Sequence, residues 1–137
     1  MKLEIHGLDD LESKLKDGAD LDLVKDLLKK HGSEMQKNAM RRARVDSGAL
    51  KRSIQMSTED GGFTVRVGST MEYAPYVEYG TGIYASNGMG RRTPWFYYNA
   101  KLGHVVQTRG MMAKPFMRPS FYEQRNKLIK DLRKIMK

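Results

Sequence analysis

The chain has 137 residues, 39% apolar and 30% charged, which suits one globular domain able to bury about two-thirds of its unfolded surface without a covalent staple. It has no cysteine, which excludes disulfide scaffolds, thiolate zinc sites and cysteine nucleophiles. The net charge of +9 is uneven, −2 over residues 1–40 and +11 beyond, while the absence of a long apolar run or signal-peptide core leads us to expect a soluble protein without a membrane partner.

From Lys2 to His6, Leu3 and Ile5 alternate with polar neighbours and predict a short edge strand. After Gly7, the spacing of Leu8, Leu11 and Leu15 predicts a two-turn helix with Asp9 and Asp10 in its first turn. Asp20 is then an N-cap candidate for the longest helix, in which Val24, Leu27, Leu28, His31, Met35 and Ala39 recur at intervals of three and four. Gly32 falls inside it. A glycine there costs about 1 kcal/mol relative to alanine, so it predicts a close packing contact or a break. Arg41, Arg42 and Arg44 give the helix a basic end that complements its dipole.

Beyond this helix, Ile54, Met56 and Thr58 alternate up to the turn Glu59-Asp60-Gly61-Gly62, and Phe63, Val65 and Val67 alternate on the return, the pattern of an antiparallel hairpin. A second hairpin is predicted from Trp95–Tyr98 and Val105–Thr108. Between the hairpins, residues 80–93 carry four glycines without periodicity, and we expect a flexible loop. Four successive aromatics on the strand Trp95–Tyr98 must alternate between two faces; one can enter the core, and the other then faces solvent or a partner. From Pro119 onward, Phe121, Arg125, Leu128, Leu132 and Ile135 line up at helical spacing, widened by Ile129 and Met136, amid many lysines and arginines. The expected architecture is α+β. A mainly antiparallel sheet of two hairpins and an N-terminal edge strand is packed by a long helix and a C-terminal helix, all in a single domain over 1–137.

Three stretches stand out. In the first, Val45 to Ile54, Asp46 or Ser47 can cap a helical turn that follows Gly48 and turns Leu50 inward; no base or nucleophile nearby supports a catalytic carboxylate. In the second, Pro75 suits the first position of a helical turn, and Tyr73, Tyr76 and Tyr79 share a face that aromatic packing would explain. Gly80, followed by Thr81, can end that turn in a left-handed conformation, while Glu78 can pair within the chain or across a subunit boundary. In the third, Pro115 and Pro119 hold an extended junction with Phe116 and Met117 as anchors.

In this order and at these separations, Val45–Ile54, Tyr73–Thr81 and Pro115–Ser120 resemble the motifs of the tail-component family of long-tailed double-stranded DNA bacteriophages and prophages, also described as minor structural or tail-completion proteins. Ser47, Met117 and Ser120 stand where the family's pattern has Thr, Leu and Ala. The resemblance implies a structural subunit of the head–tail neck in the virion, made in the bacterial host cytoplasm. It also implies joining with copies of itself in a ring, six by family resemblance, and with tail-tube or tail-terminator and head-connector proteins. It carries no catalytic residue, cofactor or metal.

The residues themselves give the same expectation for chemistry. His6, His31 and His104 lack the i, i+4 spacing of a helical metal site, Gly88-Met89-Gly90 lacks the glycine spacing of a phosphate loop, and no coherent acid, base and nucleophile set supports a hydrolase. Arg91, Arg92 and Trp95, with Glu78, are the candidate subunit or partner contacts. The alternative is a basic nucleic-acid-binding domain using Arg91, Arg92 and the lysines of the last helix; passing contact with DNA is compatible with either reading.

Overall fold

The computed structural model describes residues 2–4, 18–43 and 48–135. The expected helix at Leu8–Leu15, Ile5 and His6 of the first strand, the Asp46 or Ser47 cap, and Met136 lie outside the described residues. The elements are β1 (Lys2–Glu4), α1 (Gly18–Arg42), α2 (Ala49–Ser53), β2 (Ile54–Glu59), β3 (Thr64–Ser69), α3 (Ala74–Tyr79), β4 (Trp95–Asn99), β5 (His104–Thr108) and α4 (Met117–Ile135). The α+β class is as expected, with one refinement: the two hairpins form separate sheets, β1-β3-β2 and β4-β5. The chain divides into two compact units, one of residues 1–71 with 116–137 and one of residues 72–115.

In the first unit β3 is the central strand. It pairs antiparallel with β1 through Leu3 and Val67, and with β2 through Met56 and Val67 and through Thr58 and Val65. The hairpin turns through Asp60, Gly61 and Gly62, all at positive φ, and the Thr64 hydroxyl donates to the Asp60 carboxylate at 2.6 Å. Helix α1 begins before Asp20, which lies in its first turn rather than at an N-cap. It runs unbroken through Gly32, where an added Cβ would collide with Val65 Cγ1 and lie 3.1 Å from Met56 Sδ. The glycine is therefore the point where the helix lies hardest against the hairpin, at a cost in propensity of about 1 kcal/mol.

Around that seam Val24, Leu28, Val65, Leu128 and Leu132 form one cluster, closed by Leu27, Met56, Phe63 and Phe121. Helix α4 presents Met117, Ser120, Gln124, Leu128 and Leu132 inward. The stripe is thus rotated from the predicted one: Gln124 is buried and Arg125 exposed, because a buried histidine supplies a partner for the amide. His31 Nε2 donates to Asp131 Oδ2 at 2.7 Å, and Nδ1 lies 3.0 Å from Gln124 Oε1. The hydrogen bond from His31 holds the Asp131 carboxyl below its ordinary range, against partial desolvation, with the charges of His31, Lys30 and Lys134 adding to the effect.

At the far end of α1, Arg42 reaches α4 twice, donating to Ser120 Oγ at 2.9 Å and to Glu123 Oε2 at 2.8 Å. The Ser120 hydroxyl in turn donates to the Phe116 carbonyl at 2.7 Å, fixing the start of α4 at Met117, two residues before the predicted Pro119. Phe116 and Met117 are fully buried, the anchors expected of this junction. Leu50 is turned inward on α2 behind Gly48, whose φ is +75°.

Candidate functional site

The unit of residues 72–115 begins with α3, where Pro75 occupies the first turn and loses no hydrogen bond there. Its inward residues are Ala74, Val77 and Glu78, while Tyr73 and Tyr76 are exposed. This corrects the expected packing of the three tyrosines: Tyr79 is half-buried, but Tyr73 and Tyr76 face outward, and the helix packs through Ala74, Val77 and Glu78 instead. Glu78 has no exposed surface and cannot meet a partner in this conformation. Of its two readings, pairing within the chain fits that burial.

Gly80 ends α3 at φ 80° and ψ 175°, an extended glycine conformation rather than the expected left-handed helical one. From there the chain runs beside the segment that leaves β5. Thr81 N donates to the Met111 carbonyl at 2.9 Å, Met111 N donates to Thr81 Oγ1 at 2.8 Å, and Ile83 N donates to the Arg109 carbonyl at 3.0 Å. Lys114 N closes the series on the Val77 carbonyl at 2.8 Å. The two backbones are close: a Cβ on Gly80 would stand 2.9 Å from Met111 O, and one on Gly82 would collide with Arg109 O. Glycines that suggest mobility in the sequence are here points of backbone contact, and Thr81 between them satisfies its neighbour's N–H.

The second hairpin follows, with Trp95 paired to Thr108 and Tyr97 to Val106 on one face, and Phe96 paired to Gln107 and Tyr98 to Val105 on the other. The expectation that one face enters the core is corrected. Phe96 is 69% and Tyr98 65% exposed, and Tyr97 on the opposite face is exposed as well. Only Trp95 is half-buried among the four aromatics. Alternation distinguishes two faces but supplies no layer to cover either of them. Leu102 and Val105 extend the apolar surface.

At the base of this ribbon lies a groove of about 350 Å³, lined among others by Pro75, Tyr76, Tyr79, Met89, Arg91 and Trp95. Arg91 stands at 5.7 Å over the Trp95 ring, and its Nε donates to Thr93 Oγ1 at 3.1 Å, so its cation is held in place at the groove. Arg92 beside it is exposed. Three of the four candidate contacts, Arg91, Arg92 and Trp95, thus come within five residues, and the groove in front of them is the feature that sequence reasoning missed, since it is assembled from α3, the glycine segment and β4.

Chemically, the arrangement offers apolar surface, backbone edges and positive charge. Among the described residues no group of three or more His, Cys, Asp or Glu side chains could hold a metal ion, and no helix is long and apolar enough to cross a membrane. His31 is buried in the first unit, and His104 is exposed near the ribbon's tip with Nδ1 3.0 Å from the Leu102 carbonyl.

The family model described as "Bacteriophage HK97-gp10, putative tail-component" matches residues 8–80. The chain belongs to this family. It is a structural tail component of a bacteriophage, and that role places it in the virion. No curated protein and no solved structure matches the chain. The matched segment of the tail component holds the first two motifs up to Gly80, with Asp46, Gly48, Leu50, Tyr73, Pro75 and Tyr76 inside it. Thr81, the groove's glycine segment, the ribbon and Pro115, Phe116 and Pro119 lie beyond it.

Proposed function

We propose that this tail component acts in tail completion or head–tail joining, as a subunit of a ring at the head-proximal end of the tail, with six copies by family resemblance. Its partners would be its own copies, the tail tube or tail terminator, and the head connector. The carrying observation is the β4–β5 ribbon, which exposes aromatic side chains on both faces beside two arginines. Isolated exposed aromatics are ordinary, but a contiguous set with arginine is the composition of an interface core. No step of this reading requires catalysis; the work is done by surfaces.

The test is the paired substitution Phe96→Ser and Tyr98→Ser. The variant is expected to keep the parental melting transition while losing self-association in sedimentation and the capacity to restore infectivity to particles lacking the protein. Parental assembly and infectivity would overturn the reading. Tight DNA binding by the monomer, falling steeply with salt, would instead favour the nucleic-acid alternative.

A further inference from the structure

The ring reading leaves open which surface of the next copy meets the groove, and the chain carries a candidate that matches it in apolar character and charge. The groove is apolar along Pro75, Tyr76 and Met89 and carries the fixed Arg91 cation, with Arg92 next to it. Its unit is basic throughout: residues 72–115 contain five Lys and Arg against two acidic residues, and one of those two, Glu78, is fully buried. An occupant complementary to it presents an apolar side chain flanked by carboxylates.

The N-terminal turns of α1 have that form. Leu23 is 49% exposed, a large apolar side chain on the side of the helix away from the buried Val24 and Leu28. Asp22 and Asp26 beside it are exposed as well. Over residues 18–26 the sequence has three Asp against one Lys. Aspartates near a helix N-terminus are favoured by the dipole, so Asp22 has a local explanation. Leu23 with Asp22 and Asp26 thus sets one apolar side chain beside two exposed carboxylates.

Resting on the ring reading above, we infer that Leu23 of one copy enters the groove of the next, with Asp22 and Asp26 meeting Arg91 and Arg92. The contact joins two different surfaces, so it is heterologous, and repeated with a closing rotation it generates a ring and not a two-fold dimer. Polarity follows: every subunit offers an acidic helix end as one half of the contact and a basic groove as the other half.

The experiment uses the full chain with charge reversals on each side, Asp22→Lys with Asp26→Lys, and Arg91→Glu with Arg92→Glu. Each pair alone is expected to weaken self-association by about tenfold or more in sedimentation, with an unchanged melting transition. All four reversals in one chain are expected to restore it. Leu23→Ser, which removes the apolar side chain without altering charge, is expected to weaken association alone. If the wild-type chain associates but the four-reversal variant is no better than either pair, the pairing is wrong while the ring stands. If the wild-type chain stays monomeric at every concentration and in the presence of purified tails, the ring reading falls and this inference with it.

Discussion

Two hairpins of similar length meet opposite fates in this molecule. In β2–β3, Ile54, Val65 and Val67 are buried while Gln55 and Ser57 are exposed, and a long helix touches the inner side so closely that only glycine fits at position 32. In β4–β5 the residues are larger and more aromatic, yet all but one of the four aromatics are exposed. Hydrophobic content therefore does not decide which strand enters the core. What decides it is a second layer with a matching apolar stripe, which α1 and α4 supply to the first hairpin. The first hairpin is built into the core, and the second leaves its aromatic side chains exposed, as the proposed association requires.

The largest expected effect that would break this contrast is a pair of truncations. Leu28→Ala, in the closed core, should cost about 2–5 kcal/mol, whereas Phe96→Ala should stay within about 0.5 kcal/mol. Urea unfolding of both variants measures this, and similar losses would mean that the ribbon is part of the folding core. Next come the two close approaches. Gly32→Ala should regain helix propensity but lose more to the collision with Val65, a net cost of about 1–2 kcal/mol to global unfolding. Gly82→Ala, at φ +62° and against the Arg109 carbonyl, should cost about 1–3 kcal/mol, registered as faster proteolysis within residues 72–115.

A smaller effect concerns pH. The folded-state Asp131 carboxyl is depressed, so its contribution to stability is complete above the unfolded-state value and is lost as pH falls through the folded one. Glu123, also depressed, chiefly by hydrogen bonds from Arg42 and Lys127, acts in the same direction. Asp131→Asn should therefore flatten the acid limb of a stability–pH curve without abolishing it, and the β4–β5 unit should show no such change. The smallest expected effect is in amide exchange: Thr81 and Ile83, hydrogen-bonded across to residues 109–111, should exchange more slowly than Met89 and Gly90 in the same segment.

Much of the first unit was legible because its signals are local. The alternation around Asp60-Gly61-Gly62 specified the first hairpin, and the three- and four-residue spacing from Val24 to Ala39 specified α1 and its inner face. Gly32 within that spacing predicts a contact or a break, and the contact is what occurs. The misreadings arose where a tertiary partner decides. Gln124 replaces Arg125 in the inner stripe because His31, 93 residues away, meets it. The outward Tyr73 and Tyr76 and the uncovered ribbon depend likewise on which surfaces find a neighbour. Gly80 and Gly82 looked like freedom because a sequence shows the missing side chain and not the backbone occupying its place. The groove had no signal of its own, since its walls come from three separate stretches.

Residues 72–115 are interposed between β3 and α4, so the chain leaves the first unit once and returns to it once. Such an excursion can be lengthened, shortened or rewritten at modest loop-closure cost, because neither the register of β3 nor the docking of α4 passes through it. The family match, ending at Gly80, covers most of the framework before the excursion and little of the excursion itself. On the proposed reading, in which the excursion carries the contact surface, binding preference can change without disturbing that framework. Grafting residues 81–113 from another member onto this framework should transfer the donor's choice of neighbour and leave the host's melting transition in place.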